Sequence, residues 1–259
     1  MTSLSKYVIY YGLTVKISLN YRMNLIFQFF GNLVAMGLLI FIWKNISGID
    51  SLTRNIELFS VLLSTEILLL SETWLEYDFE SKVKRGDILV DFGKPINIFG
   101  MTFFKNLGFV TTNILVIIVP FIILLLFGIF ESIIFPINIG LFIISLINSL
   151  VINFLMSLFI GIWSISLKSV WGVLIFKELL ITLFSGILIP MNLYPETIQR
   201  IAKFLPIYGV FQVPKDIILR NYTSPAYMLV YQLIWIIILI ILCNKLFTKQ
   251  LQKMTFFGG

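Results

Sequence analysis

Six long apolar stretches, spread through 259 residues, constrain this chain more than any other feature. A helix that crosses the hydrocarbon of a bilayer needs about 20 predominantly apolar residues. Met23 to Trp43 is an uncharged run of that size between Arg22 and Lys44. Ile56 to Glu76 is a weaker second stretch, carrying Glu57, Glu66, Glu72 and Glu76. Asn106 to Phe130, Ile137 to Trp163, Trp171 to Ile189 and Ala226 to Asn244 complete the set. With 59% apolar and 12% charged residues and a mean hydropathy of +0.99, the chain reads as an all-α membrane protein with six transmembrane helices. Residues 1–22 form a separate N-terminal element, and residues 23–259 a six-span transmembrane domain.

An even number of spans places both termini on one side. If that side is the cytoplasm, the inner segments hold twelve basic residues: Lys6, Lys16, Arg22, Lys82, Lys84, Arg85, Lys94, Lys105, Lys168, Lys245, Lys249 and Lys253. The outer loops hold six: Lys44, Arg54, Arg200, Lys203, Lys215 and Arg220. Lys177 stands near the inner end of span five, where its stem can snorkel. This asymmetry favours cytoplasmic termini. The net charge of +6 then answers to anionic membrane lipids, and no nucleic-acid partner is needed.

The first 22 residues carry three basic side chains and no long apolar core, so they read as a surface helix rather than a cleavable signal. Leu4, Tyr7, Val8, Tyr11 and Val15 recur at helical spacing on one side, which suits a helix lying in the inner interface. The lone Cys243 excludes an internal disulfide, and the absence of histidine excludes His-dependent zinc sites and acyl-transfer triads. Gly93-Lys94 is not a phosphate-binding loop, because that motif requires a glycine where Ile88 stands and a Ser or Thr where Pro95 stands. Any ATP the protein uses must bind to another polypeptide.

Two loops carry functional signals. The inner loop from Tyr77 to Ile96 mixes Arg85, Asp87, Asp91 and Lys94 with Val83, Ile88, Leu89, Val90 and Phe92. Apolar residues among charges of both signs suit a short helix docked on a cytoplasmic partner, or one lying on lipid headgroups. The outer loop runs from about Pro190 to Pro225. Pro195 opens a helix, Glu196 suits its first turn, and Ile198, Ile201, Ala202 and Leu205 form a stripe that Pro206 ends. Ile207 to Pro214 is apolar again but too short to span. The pattern fits two short re-entrant helices between spans five and six, or a surface helix followed by an ordinary loop.

Ser185-Gly-Ile-Leu-Ile-Pro190, Leu193-Tyr-Pro195, Leu205-Pro206 and Val213-Pro214 together resemble the fifth span and outer hairpin of ABC-2-type ABC transporter permeases. Arg85-Gly86-Asp87-Ile88-Leu89 with Lys94-Pro95 resembles the inner loop of a bacterial branch that works beside a separate ATPase subunit, and the tail Phe256-Phe-Gly-Gly259 is similar to that branch's ending. The resemblance implies a six-span half transporter that performs no chemistry itself. It also implies two copies of an ABC ATPase holding ATP and Mg, a second permease half identical or related to this one, and coupling through the inner loop. Cargo in such families includes drugs, antimicrobial peptides and lipid-linked glycans.

Polar residues inside the spans form stripes. Asn20, Asn24, Gln28 and Asn32 follow four-residue spacing, as do Ser145, Ser149, Asn153, Ser157 and Gly161. Such stripes serve helix packing, with bonds of about 0.6 kcal/mol on average, or they line a translocation path. Glu66 lies mid-span, where an ionised carboxylate costs about 2.5 to 3.5 kcal/mol on insertion scales. It therefore requires a partner such as a span-one amide, a wet cavity or a proton. An ion-gradient-driven transporter or channel is the competing class, although one carboxylate is a thin ion relay and the two halves show no clear repeat. The charge asymmetry has a direct check. In sealed cells Gln199→Cys should label from outside and Lys84→Cys should not, and the reverse pattern would invert the topology.

Overall fold

The computed structural model describes residues 3–46, 48, 50–94, 96–126, 139–167, 169–219 and 224–254. Among these, regular structure is helical. The order is α1 (Ser3–Asn20), α2 (Arg22–Lys44), α3 (Ser51–Ser71), α4 (Leu75–Arg85), α5 (Ile88–Phe92), α6 (Ile98–Leu126) and α7 (Ile139–Trp163). Then come α8 (Trp171–Phe184), a 3-10 turn (Met191–Leu193), α9 (Glu196–Ala202), α10 (Pro206–Ile218) and α11 (Pro225–Met254).

Five helical segments among the described residues are long and apolar enough to cross a membrane: Arg22–Lys44, Thr53–Arg85, Ile98–Ile123, Ile139–Trp163 and Pro225–Gln252. The expected fifth span, Trp171 to Ile189, behaves differently. Its helix ends at Phe184 after 14 residues, about 21 Å at 1.5 Å per residue, against about 30 Å of hydrocarbon. The chain then turns through Gly186, whose φ of +77° is one that a side chain would resist. Composition gave no warning, because Ile187, Leu188 and Ile189 continue the apolar run past the break.

The segment containing α3 is the enclosed one. Its most apolar window is 67% buried, against 11% for α2 and 17% for α11, so α3 sits centrally while those two present their sides outward. Leu58, Phe59, Val61, Leu62 and Ile67 of α3 meet Ile152, Leu155 and Leu158 of α7 and Val210 and Phe211 of α10 in one apolar core. This explains why α3 is the least apolar span yet lies innermost: its carboxylates face protein. Asp50 starts α3 by accepting the Thr53 amide at 3.1 Å.

α1 does not stand apart from the bundle. It runs alongside the first half of α6 in the same direction, with Tyr7 stacked on Phe104 and the Tyr11 hydroxyl 3.2 Å from Thr111 Oγ1. The close approach uses glycines. A Cβ on Gly100 would lie 2.8 Å from the Tyr7 ring, and one on Gly108 would lie 2.8 Å from the Thr14 side chain and 3.0 Å from the Tyr11 carbonyl. Val8, one of the striped residues, is 51% exposed, so the α6-facing side is set by Tyr7, Tyr11 and Thr14.

Gly108→Leu should therefore destabilise the detergent-solubilised protein by about 1–3 kcal/mol through overpacking against backbone. Gly12→Ala, in the interior of α1 where a Cβ meets nothing within 4 Å, should not destabilise it and should add up to about 1 kcal/mol through helix propensity. Thermal unfolding of the two variants compares them directly.

Candidate functional site

The polar residues of the apolar helices collect at two helix breaks. At the first, α3 ends at Ser71 and three residues pass before α4 starts, which frees carbonyls at the end of α3. Asn153 of α7 donates Nδ2 to Ser71 O at 2.7 Å, and Asn113 of α6 donates to Leu69 O at 3.0 Å. At the second, the Ser185 carbonyl beyond α8 accepts from Gln212 Nε2 at 3.1 Å, Lys215 Nζ at 3.0 Å and Ser64 Oγ at 3.2 Å. Each break is thus closed by side chains from other helices.

The α7 stripe is buried over its full length. Ser145 and Ser149 face Gln232 of α11, whose Nε2 also reaches Gly209 O of α10 at 2.8 Å. Asn153 closes the α3 break, and Ser157 Oγ accepts from Lys177 Nζ at 2.8 Å. Gly161 receives the Phe79 ring, which a Cβ there would meet at 3.2 Å. Within the chain this stripe is a packing seam. The span-one ladder is divided instead: Asn32 is buried, Gln28 half-buried and Asn24 exposed. Asn32 Nδ2 donates to Glu66 Oε2 at 3.3 Å, while Glu66 Oε1 and Asn32 Oδ1 are buried without hydrogen-bond partners.

Lys177 does not snorkel. Its ammonium binds Glu76 Oε1 at 2.6 Å, with both side chains largely enclosed, so it ties α8 to the start of α4 and to α7. Glu57, at the opposite end of α3, accepts from Asn192 Nδ2. The sequence places Lys215 among the outer-loop charges, yet it is 1% exposed. The available signal was its three-residue spacing from Gln212 on one face of an apolar helix.

The inner loop folds as two helices joined at Gly86, whose φ of +79° closes α4 in the left-handed conformation. Asp91 of α5 is gripped by Lys94 at 2.6 Å and Lys82 at 3.1 Å. Burial pushes the Asp91 carboxyl up, but the two ammonium groups more than offset it and hold it below the usual range. Arg85, Asp87 and Val90 are exposed at the outer surface of this element, with Arg85 Nε 3.1 Å from Asp87. Ile88, expected to face a partner, is 2% exposed and packs into this chain's own core, because α5 folds back beneath α4. Pro95, the Phe256–Gly259 tail and the side chains of Leu89 and Phe92 lie outside the described residues.

Between α9 and the starts of α3 and α11, the hairpin encloses a cavity of about 860 Å³. Pro190 precedes the 3-10 turn, Pro195 precedes α9, Pro206 opens α10, and Pro214 lies within α10. Glu57, Lys215, Asp216 and Tyr208 line the cavity, and Tyr208 donates its hydroxyl to Asp216 Oδ2 at 3.1 Å.

Residues 56–258 match the model of the ABC-2 family transporter proteins. The chain belongs to that family. It is a multi-pass membrane component of an ABC transporter, a transport subunit and not a catalyst, and the family associates with an ABC ATPase. No curated protein and no solved structure gave a match.

The Lys177–Glu76 pair should show strong coupling. Lys177→Met leaves a buried carboxylate unpaired and should cost about 3–5 kcal/mol, whereas adding Glu76→Gln should recover much of the loss. Unfolding of the two single variants and the double variant would measure it, and additive losses would exclude the pair.

Proposed function

We propose that this chain is the permease half of an ATP-driven exporter in a bacterial cell membrane, with both termini cytoplasmic. Two separate ATPase subunits hold ATP and Mg, and a second permease half, identical or related, completes the path. The cargo class is amphipathic: a drug, an antimicrobial peptide or a lipid-like molecule. ATP drives transport by binding one arrangement of the two halves better than the other.

The observation that carries this reading is the α4–Gly86–α5 element within the ABC-2 match. Asp91, Lys82 and Lys94 hold it in shape, Lys177 and Phe79 seat it on the bundle, and Arg85, Asp87 and Val90 remain exposed for a partner. A rigid element with apolar and charged groups outward suits docking, where apolar contact supplies affinity and charge sets orientation. The burial of Ile88 moves the test to residues the fold can spare. Val90→Asp with Arg85→Glu should reduce ATPase co-purification and cargo-stimulated hydrolysis together, by about tenfold or more, while membrane insertion persists. Full coupling in that variant would remove the element from the mechanism.

Glu66 favours a second reading, because a buried carboxylate with one unpartnered oxygen could carry a proton in a gradient-driven transporter. Glu66→Gln preserves size and hydrogen bonding but abolishes titration. Unchanged ATP-dependent transport in this variant would confine Glu66 to packing, and loss of transport with assembly intact would place its proton in the cycle.

A further inference from the structure

α8 carries a charge that neither the fold nor the docking of an ATPase uses. Trp171, Ile175, Glu178 and Thr182 recur at i, i+4, i+7 and i+11, which stacks them in one column, and all four are exposed. The Glu178 side chain forms no hydrogen bond or ion pair among the described residues. Its neighbour Lys177 is turned inward to Glu76 and Ser157. The apolar stretches 23–43, 106–126, 139–163 and 226–244 hold no charged residue, and Glu57 and Glu66 of α3 are buried. Glu178 is thus the one charge, among the described residues, that faces outward within the apolar part of a helix. It stands seven residues from Trp171 and six from Phe184, so about 9 to 10.5 Å of helix separates it from either end. A carboxylate turned to hydrocarbon at that position is costly. A second copy of this chain offers no remedy, because its apolar stretches present no outward cation either.

We propose that this column of α8 faces the translocation path between the permease halves, and that Glu178 selects cargo carrying a positive charge on an apolar body. The proposal rests on the two-half reading above and narrows its amphipathic cargo to the cationic class. The positive group pairs with Glu178, and the exposed Ile175, Leu179 and Leu183 meet the apolar body. Two identical halves would turn two such carboxylates toward one path, which attracts a cation and repels an anion. Water in the path solvates the carboxylate when no cargo is present, so the cost of facing lipid disappears. The length of α8 agrees, since a helix of about 21 Å is a poor match to lipid tails along its whole outward side.

The test uses the full chain with the subunits that co-purify with it, in lipid nanodiscs and without nucleotide, so it does not depend on coupling to ATP. Glu178→Cys should react with a water-soluble methanethiosulfonate reagent. Phe27→Cys, on the outward face of α2, should not, because a thiol in hydrocarbon does not form the reactive thiolate. Cys243 is buried, so the parent chain serves as the blank. Tetraphenylphosphonium and tetraphenylborate, a cation and an anion of nearly the same shape, are the binding probes. The cation should bind wild type about fivefold or more tighter than Glu178→Gln and should slow labelling at position 178. The anion should bind Glu178→Gln at least as well as wild type. Glu178→Gln removes no internal contact, so its unfolding temperature should match wild type. Labelling of Glu178→Cys no faster than that of Phe27→Cys would return this face to lipid and overturn the proposal. Equal affinity of tetraphenylphosphonium for wild type and Glu178→Gln would overturn it as well. Binding through Glu178 without ATP-driven movement of tetraphenylphosphonium would uphold the site and fail the exporter reading alone.

Discussion

A backbone carbonyl without a partner costs several kcal/mol in hydrocarbon, and this architecture interrupts its apolar helices twice, after Ser71 and after Phe184. The rest of the structure depends on how those interruptions are closed. Asn113 and Asn153 reach the end of α3 from α6 and α7, and Ser64, Gln212 and Lys215 converge on one carbonyl beyond α8 from α3 and α10. The polar side chains that look out of place in apolar helices are therefore cross-braces. They also set which helices must be neighbours, a choice that apolar contact alone leaves loose because lipid tails compete equally well for apolar faces.

Much of the helical layout was legible because span length and charge boundaries are local properties. Met23 to Trp43 became Arg22–Lys44, and Ile137 to Trp163 became Ile139–Trp163. The four-residue spacing from Ser145 to Gly161 likewise identified one face of α7, since helical periodicity fixes facing whatever the partner. What it could not identify was the partner at each step, which changes from α11 and α10 to α3, then α8, then α4.

The illegible parts are those decided by distant residues. Trp171 to Ile189 has the composition of a full span, and its early end requires donors that arrive 27 and 30 residues later. Ile88 looked available because the loop around it is charged, but the left-handed turn at Gly86 folds α5 back and buries it. Asn32 and Glu66 were each conspicuous alone, yet only the packing of α2 on α3 makes them a pair. Lys177 and Glu76 are 101 positions apart, and no local pattern links them.

The contact between Phe79 and Gly161 has a mechanical consequence. A ring seated in a notch that lacks a side chain cannot slide along the helix without climbing onto the residues on either side, so α4 and α7 must travel as one piece. α7 continues from that notch to Ser149, twelve positions or about 18 Å away, where it meets Gly209 of α10. Force applied at the α4 end would reach the hairpin along a stiff rod, with its fulcrum at Asn153, where α7 is pinned to the end of α3.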